Sequence, residues 1–260
     1  MERRFRCTAC GKCCYGWLPL TVKDALRHAR RFPLAVVWTP VRQASKAFAA
    51  TAKLGLTVRT RDRKQLAIRI APTAYIPPSF PCPALTADNL CGIQAEKPSR
   101  CATMPFFPYR DEADQSDLLV PRPGWACDTS PEAPVVYRDK AIIARTAFAL
   151  EYGDLLEQAP VLRAYGEALV ASAGPLVDTL AKVSLKPGGG HVALSFASLL
   201  RHLDTAGKAE IARAQMALLD EYANRVPDDA ASAEYRRNYG DWAWEMERLE
   251  SGRASCRERV

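Results

Sequence analysis

Histidine is scarce in this chain, with three residues in 260: His28, His191 and His202. None lies at helical spacing from another or beside a cysteine, which excludes the paired-His zinc hydrolase motif and the Cys2His2 finger. Each therefore reads as a surface or satisfied core side chain. Long apolar runs are missing as well; no stretch approaches the roughly 18 residues of a membrane-spanning helix. Met1 to Arg6 is charged and no apolar segment follows, so no secretory leader is expected. Internal repeats, low-complexity tracts and flexible linkers are also absent. The one glycine run, Leu185-Lys-Pro-Gly-Gly-Gly190, has no earlier glycine-rich loop to accompany it as in a class I methyltransferase, and reads as a helix-terminating turn.

Cysteine, by contrast, is plentiful. Cys7, Cys10, Cys13 and Cys14 form a C-x2-C-x2-C-C run, and Cys82, Cys91, Cys101 and Cys127 follow in the first half of the chain. Thiols two residues apart suit convergence on one ion. The adjacent Cys13 and Cys14 leave the backbone in divergent directions, which suggests two neighbouring sites with four thiolates each. No second C-x2-4-C knuckle is present, as zinc sites usually require, whereas the C-x2-C-x2-C head and the Cys82-Pro83 pair match a bacterial ferredoxin run. The spacing therefore predicts two iron–sulfur clusters of the 4Fe-4S type, with two Zn2+ ions as the alternative. Cys256, in a polar tail, reads as a bystander. Nine cysteines without a leader imply a reducing compartment and a cytoplasmic protein.

The net charge of +7 is uneven: residues 1–130 carry 20 Lys/Arg against 10 Asp/Glu, and residues 131–260 carry 16 against 19. A basic half invites nucleic acid, but no finger spacing or basic-aromatic groove supports that partner. Two filled four-thiolate sites of −2 each would lower the total to +3. A protein or redox partner, and no membrane, fits this composition better.

Thr21 with Asp24 marks a helix start over Val22–Arg31. Leu34 to Trp38 reads as a strand or buried turn, and Val41 to Leu54 has helical spacing closed by Gly55. Residues 56–60 and 66–70 alternate around Arg61-Asp62-Arg63-Lys64, a β-hairpin signal. Residues 72–134 are proline-rich and irregular, a region for metal to organise. Helices are expected over Lys140–Leu156, Val161–Ala173, Pro175–Val183, Ser195–Leu203, Lys208–Tyr222 and Asp228–Glu250. In the last, Tyr235, Tyr239, Trp242, Met246 and Leu249 form one buried stripe. Glu151, Asp154 and Glu157 read as a solvated face, and Trp17 and Trp125 as shields beside the thiols. The fold class is accordingly α+β and mostly helical. A metal-organised cysteine-rich region (1–134) with a small hairpin packs against a helical region (135–260).

The segments Phe5-Arg6-Cys7-Thr8-Ala9-Cys10-Gly11-Lys12-Cys13-Cys14, Cys82-Pro83-Ala84-Leu85, Cys91-Gly92-Ile93 and Pro98-Ser99-Arg100-Cys101 resemble the YkgJ-type cysteine-cluster family. That family is a zinc- or iron-chelating domain, found also at the front of flagellin lysine-N-methylase. The resemblance spans about residues 5–110 and implies that Cys7, Cys10, Cys13, Cys14, Cys82, Cys91 and Cys101 are ligands. The functional expectation is an iron–sulfur protein for electron transfer, redox sensing or structural support. The alternatives are a lysine N-methyltransferase-like enzyme and a zinc-stabilised nucleic-acid or protein binding module.

Overall fold

Leu34 to Trp38 are buried at five consecutive positions, the pattern of a strand covered on both faces. The computed structural model describes residues 2–252; Cys256 lies outside them. In chain order the elements are β1 (Glu2–Arg4), a 3-10 turn at Lys12–Cys14, β2 (Leu18–Pro19), α1 (Val22–Arg27), β3 (Leu34–Arg42), α2 (Phe48–Leu54), β4 (Leu56–Arg59) and β5 (Gln65–Ala74). After α3 (Ser99–Thr103) come β6 (Val135–Arg138), β7 (Ala141–Ile142), α4 (Thr146–Ser172), α5 (Leu176–Val183), β8 (Val192–Ser195), α6 (Phe196–His202), α7 (Lys208–Arg225) and α8 (Ala233–Glu250).

The expected hairpin is one corner of a larger antiparallel sheet. β4 pairs β5 with Leu56 opposite Ile68, as the alternation predicts. β5 then pairs along its whole length with β3, and β3 with β8, in the order β2-β5-β3-β8. β3 runs through Pro40, which a central strand rarely tolerates. The β3–β8 ladder covers only Ala35 to Trp38, so Pro40 has a paired neighbour on one side alone. A second, three-stranded sheet joins β1 to β6 and β7.

Two expected helices are one. α4 continues through Pro160 for 27 residues, because Leu155, Gln158, Ala159 and Leu162 on either side are buried and their packing overrides the lost backbone bond. At Gly166 an added Cβ would stand 2.6 Å from Ile70 Cδ1 and 3.2 Å from Leu56 Cδ2, so the missing side chain lets α4 seat on the sheet. Thr21 caps α1, its Oγ1 accepting from the Asp24 N–H at 3.0 Å. The α8 stripe packs as expected: Tyr239, Trp242 and Met246 are buried, and Tyr75 lies 4.8 Å from Tyr235 and 5.0 Å from Trp242 between ring centroids.

Gln215 on α7 is fully buried and ties that helix to the sheet. Its Oε1 accepts from the Leu34 N–H at 2.8 Å, and its Nε2 donates to the carbonyls of Phe32 and Ala29. One apolar core runs through the five-stranded sheet and α4 to α8.

The chain is therefore mixed α+β, with strands and helices interspersed, and the expected metal-organised cysteine-rich half is not found among the described residues. Among the described residues no group of three or more His, Cys, Asp or Glu side chains is placed to hold a metal ion. Hydrogen bonds fix the irregular middle instead. Gln115, fully buried, accepts from the Phe107 N–H at 2.9 Å and donates to the carbonyls of Phe107, Arg110 and Asp111. Arg100, also buried, donates to the Phe106 carbonyl and pairs with Glu151 at 3.3 Å. Glu151, expected on a solvated face, is thus a buried anion anchoring this segment to α4. Asp24 accepts from the Ser99 N–H at 2.9 Å and closes the segment against α1.

Candidate functional site

Gly11 begins the thiol-bearing turn with φ 71°, a left-handed conformation, and a Cβ there would sit 2.7 Å from Asn89 Oδ1. The Cys14 N–H closes the turn onto the Gly11 carbonyl at 2.9 Å. This arrangement leaves Cys13 exposed and Cys14 half-buried. The Cys14 carbonyl then accepts from the Cys82 N–H at 2.7 Å, so the backbone brings these two positions together. Leu85 and Cys91 form a further bridge, and Cys101 lies on α3. On the other side of the turn, Thr8 donates to the Ala126 carbonyl at 2.8 Å and Arg6 bridges Asp128, which places Cys127 near Cys7 and Cys10.

Electrostatics separates these thiols in role. The Cys14 thiol donates to Cys13, and with help from Lys97 this holds Cys13 down to about 6 against the opposing effect of burial. The same bond pushes Cys14 upward, as do burial and the charges of Cys13, Cys82 and Cys101. Burial raises Cys101 to about 12, with Cys82, Cys13 and Cys91 adding to the effect. Cys82 is raised by burial, and Cys127 by burial and then by Cys10, Cys7 and Cys13. Backbone N–H groups at Lys12 and Ala126 lower Cys10.

Thiolates interact across a Debye length of about 8 Å, whereas a zinc–sulfur bond is about 2.3 Å. Cys7, Cys10, Cys13, Cys14, Cys82, Cys91, Cys101 and Cys127 are therefore within electrostatic reach of one another in part, yet no three converge on a common centre among the described residues. That overturns the two 4Fe-4S clusters and the two Zn2+ ions alike, and with them the iron–sulfur function. The C-x2-C spacing is compatible with chelation but does not impose it, since the turn can aim its sulfurs apart.

A second feature lies across the five-stranded sheet. A cavity of 190 Å3 is lined by Trp17, Val37, Thr39, Arg69, Ala71 and His191, with the Gly188–Gly190 turn along one side. α5 ends before the glycine run, at Val183 with Ser184 as its cap, and the run folds back on it: a Cβ at Gly190 would meet the Val183 carbonyl oxygen at 2.4 Å. Gly188 and Gly189 hold φ of 77° and 88° with open space around them.

Arg69 is the unexpected residue here. Its guanidinium donates to Thr39 Oγ1 at 3.2 Å and lies 5.2 and 5.5 Å from the ring centres of Phe107 and Tyr109. Burial draws its pKa below the ordinary arginine value, and neighbouring Arg100 adds to that. Cation–π contacts with the two rings offset part of the cost of taking this half-buried cation out of water. In sequence Arg69 is one more basic residue beside a charged hairpin turn. Only its strand register, opposite Thr39, could have singled it out.

Of the other residues considered, His28 bonds the Glu96 carbonyl at 2.9 Å and His202 that of Ser198 at 2.9 Å. His191 meets Trp17 edge-on at 4.2 Å, and burial lowers its pKa. Trp17 therefore lines the cavity, while Trp125 lies under Arg122 at 5.3 Å. No helix among the described residues is long and apolar enough to cross a membrane. No family model, curated protein or solved structure matches the chain. The YkgJ-type resemblance thus finds no support from a family match, and the ion-holding arrangement it implied is not formed among the described residues.

Proposed function

We propose that this chain is a dithiol redox protein in which Cys13 is the nucleophile and Cys14 the resolving thiol. The observation that carries this reading is the pair itself: an exposed Cys13 next to Cys14, whose thiol stabilises the Cys13 thiolate, with the positive charge of Lys97 adding to that. A thiolate stabilised in this way is the form that attacks sulfur. The depressed pKa favours the Cys13 thiolate over the thiol near neutral pH, while Cys14 keeps its proton.

The partner is a disulfide, on a protein or a small molecule. The Cys13 thiolate attacks one of its sulfurs, forming a mixed disulfide and releasing the other sulfur as a thiolate. That thiolate takes up the proton of Cys14. The Cys14 thiolate then attacks Cys13 sulfur and releases the second half of the partner. Two cysteines are oxidised, one disulfide is reduced, and two electrons pass. Neighbouring residues across a trans peptide have Cα atoms about 3.8 Å apart, below the 4.4 Å or more of a relaxed disulfide. The product is therefore strained and easily reduced again, which suits a reversible carrier or sensor.

Reaction with oxidised glutathione under argon, followed by peptide mass mapping, tests this directly. Wild type should lose two hydrogens across Cys13–Cys14, Cys14→Ser should accumulate a glutathione adduct on Cys13, and Cys13→Ser should be inert at this pair. Alkylation of Cys13 should be level above pH 7 and fall about tenfold per unit below pH 6, because the folded pKa is depressed and protonation removes the nucleophile. If Cys13→Ser exchanges as fast as wild type, the assignment is wrong.

A further inference from the structure

Arg69, half-buried on β5, lies within electrostatic reach of the fully buried Arg100, and Glu151 pairs with Arg100 alone of the two. Among the described residues Arg69 has two aromatic faces and one threonine hydroxyl as partners, but no carboxylate. Aromatic faces recover part of the cost of burying such a cation, and an anion would recover the rest. Arg69 also lines the cavity, together with the Gly188–Gly190 turn. The geometry points to this cavity as a binding site for a small organic oxyanion, a carboxylate or phosphate ester on a compact apolar body.

Each wall has a part in that recognition. Arg69 and the Thr39 hydroxyl supply the charged and polar end, as a planar guanidinium pairs with an oxyanion through two parallel donors. Val37 and Ala71, with the Trp17 ring, supply an apolar surface for the body of the ligand. His191, held edge-on against Trp17, completes that wall. At 190 Å3 the cavity is smaller than the roughly 300 Å3 at which drug-sized pockets begin, which suits a compact ligand. The positive φ of Gly188 and Gly189 keeps side chains away from the rim, where any Cβ would require a strained backbone.

Nothing in this proposal depends on the thiol chemistry, and its test is separate. Benzoate, phenyl phosphate and the neutral benzyl alcohol are titrated into the full chain while Trp17 fluorescence and amide chemical shifts near Ala71 and His191 are followed. At least one anion should bind saturably with Kd below about 1 mM, and the alcohol should bind about tenfold more weakly or not at all. Whichever anion binds better identifies the ligand class. Thr39→Val should weaken the anion about tenfold with the fold retained, and Ala71→Leu should block it by filling the cavity. Arg69→Met should abolish binding; if that variant fails to fold, Thr39→Val and Ala71→Leu still decide. Equal binding of alcohol and anions, no saturation by either anion, or unchanged affinity in folded Thr39→Val and Ala71→Leu would overturn the site.

Discussion

The sheet with its helices and the loops of residues 76–134 are built on different principles. In the sheet body, β3 and β5 interlock over nine paired positions and bury a continuous apolar core with α4 to α8. In the loops, small apolar clusters around Phe106, Tyr109 and Leu119 are tied together by buried polar groups: Gln115, Arg100 and the Glu151 that reaches in from α4. Apolar burial is non-directional and tolerates repacking. A buried polar scaffold depends on every partner being present, so one deletion leaves another group stranded.

Glu151→Ala should therefore be the most damaging change considered, costing about 3–5 kcal/mol by leaving Arg100 as an unpaired buried cation. Urea melts combined with limited proteolysis should show cutting within residues 76–134 first. A loss spread evenly over the chain would erase the distinction between the two regions. Gln215→Leu probes the one point where the body also relies on a buried amide. With Leu34 N–H and two carbonyls left without their partner, the expected cost is about 2–3 kcal/mol, read from the urea midpoint. Tyr239→Phe removes the hydroxyl that donates to the Tyr75 carbonyl while leaving the aromatic packing intact, and should cost about 1 kcal/mol. The smallest effect should come from chelation. Protease protection of residues 76–134 should be the same with and without a strong chelator, and a chelator-dependent rise in cutting would restore metal as the organiser of this region.

Local rules were legible in the sequence where neighbours along the chain decide the outcome. Thr21 and Asp24 mark a cap that forms, Leu56 and Ile68 mark a hairpin pair that forms, and the Tyr235 to Leu249 spacing marks a helix face that packs inward. The rest depended on residues far apart. Pro160 reads as a boundary until the burial of Leu155 and Leu162 shows what holds the helix together. Glu151 reads as solvated because its partner Arg100 lies 51 positions away. The candidate thiol positions are explicit in sequence, yet sulfur directions are set by the Gly11 turn and by the contact of Cys14 with Cys82, which spacing alone leaves open. The cavity draws Trp17, Thr39, Arg69 and His191 from four separate segments, so no local pattern announces it.

The pairing of β3 with β8 has a consequence for biosynthesis. Residues 34–42 leave the ribosome long before residues 192–195, which finally cover the Ala35 to Trp38 edge. At roughly 5–20 residues per second the interval is about 8–30 s. Through that time the nascent chain carries an apolar strand, Val36-Val37-Trp38 at its centre, with one side unpaired. Such an edge is a template for pairing with other chains. Yield of native protein should therefore depend on translation rate and on chaperones that shield this strand until its last neighbour is made.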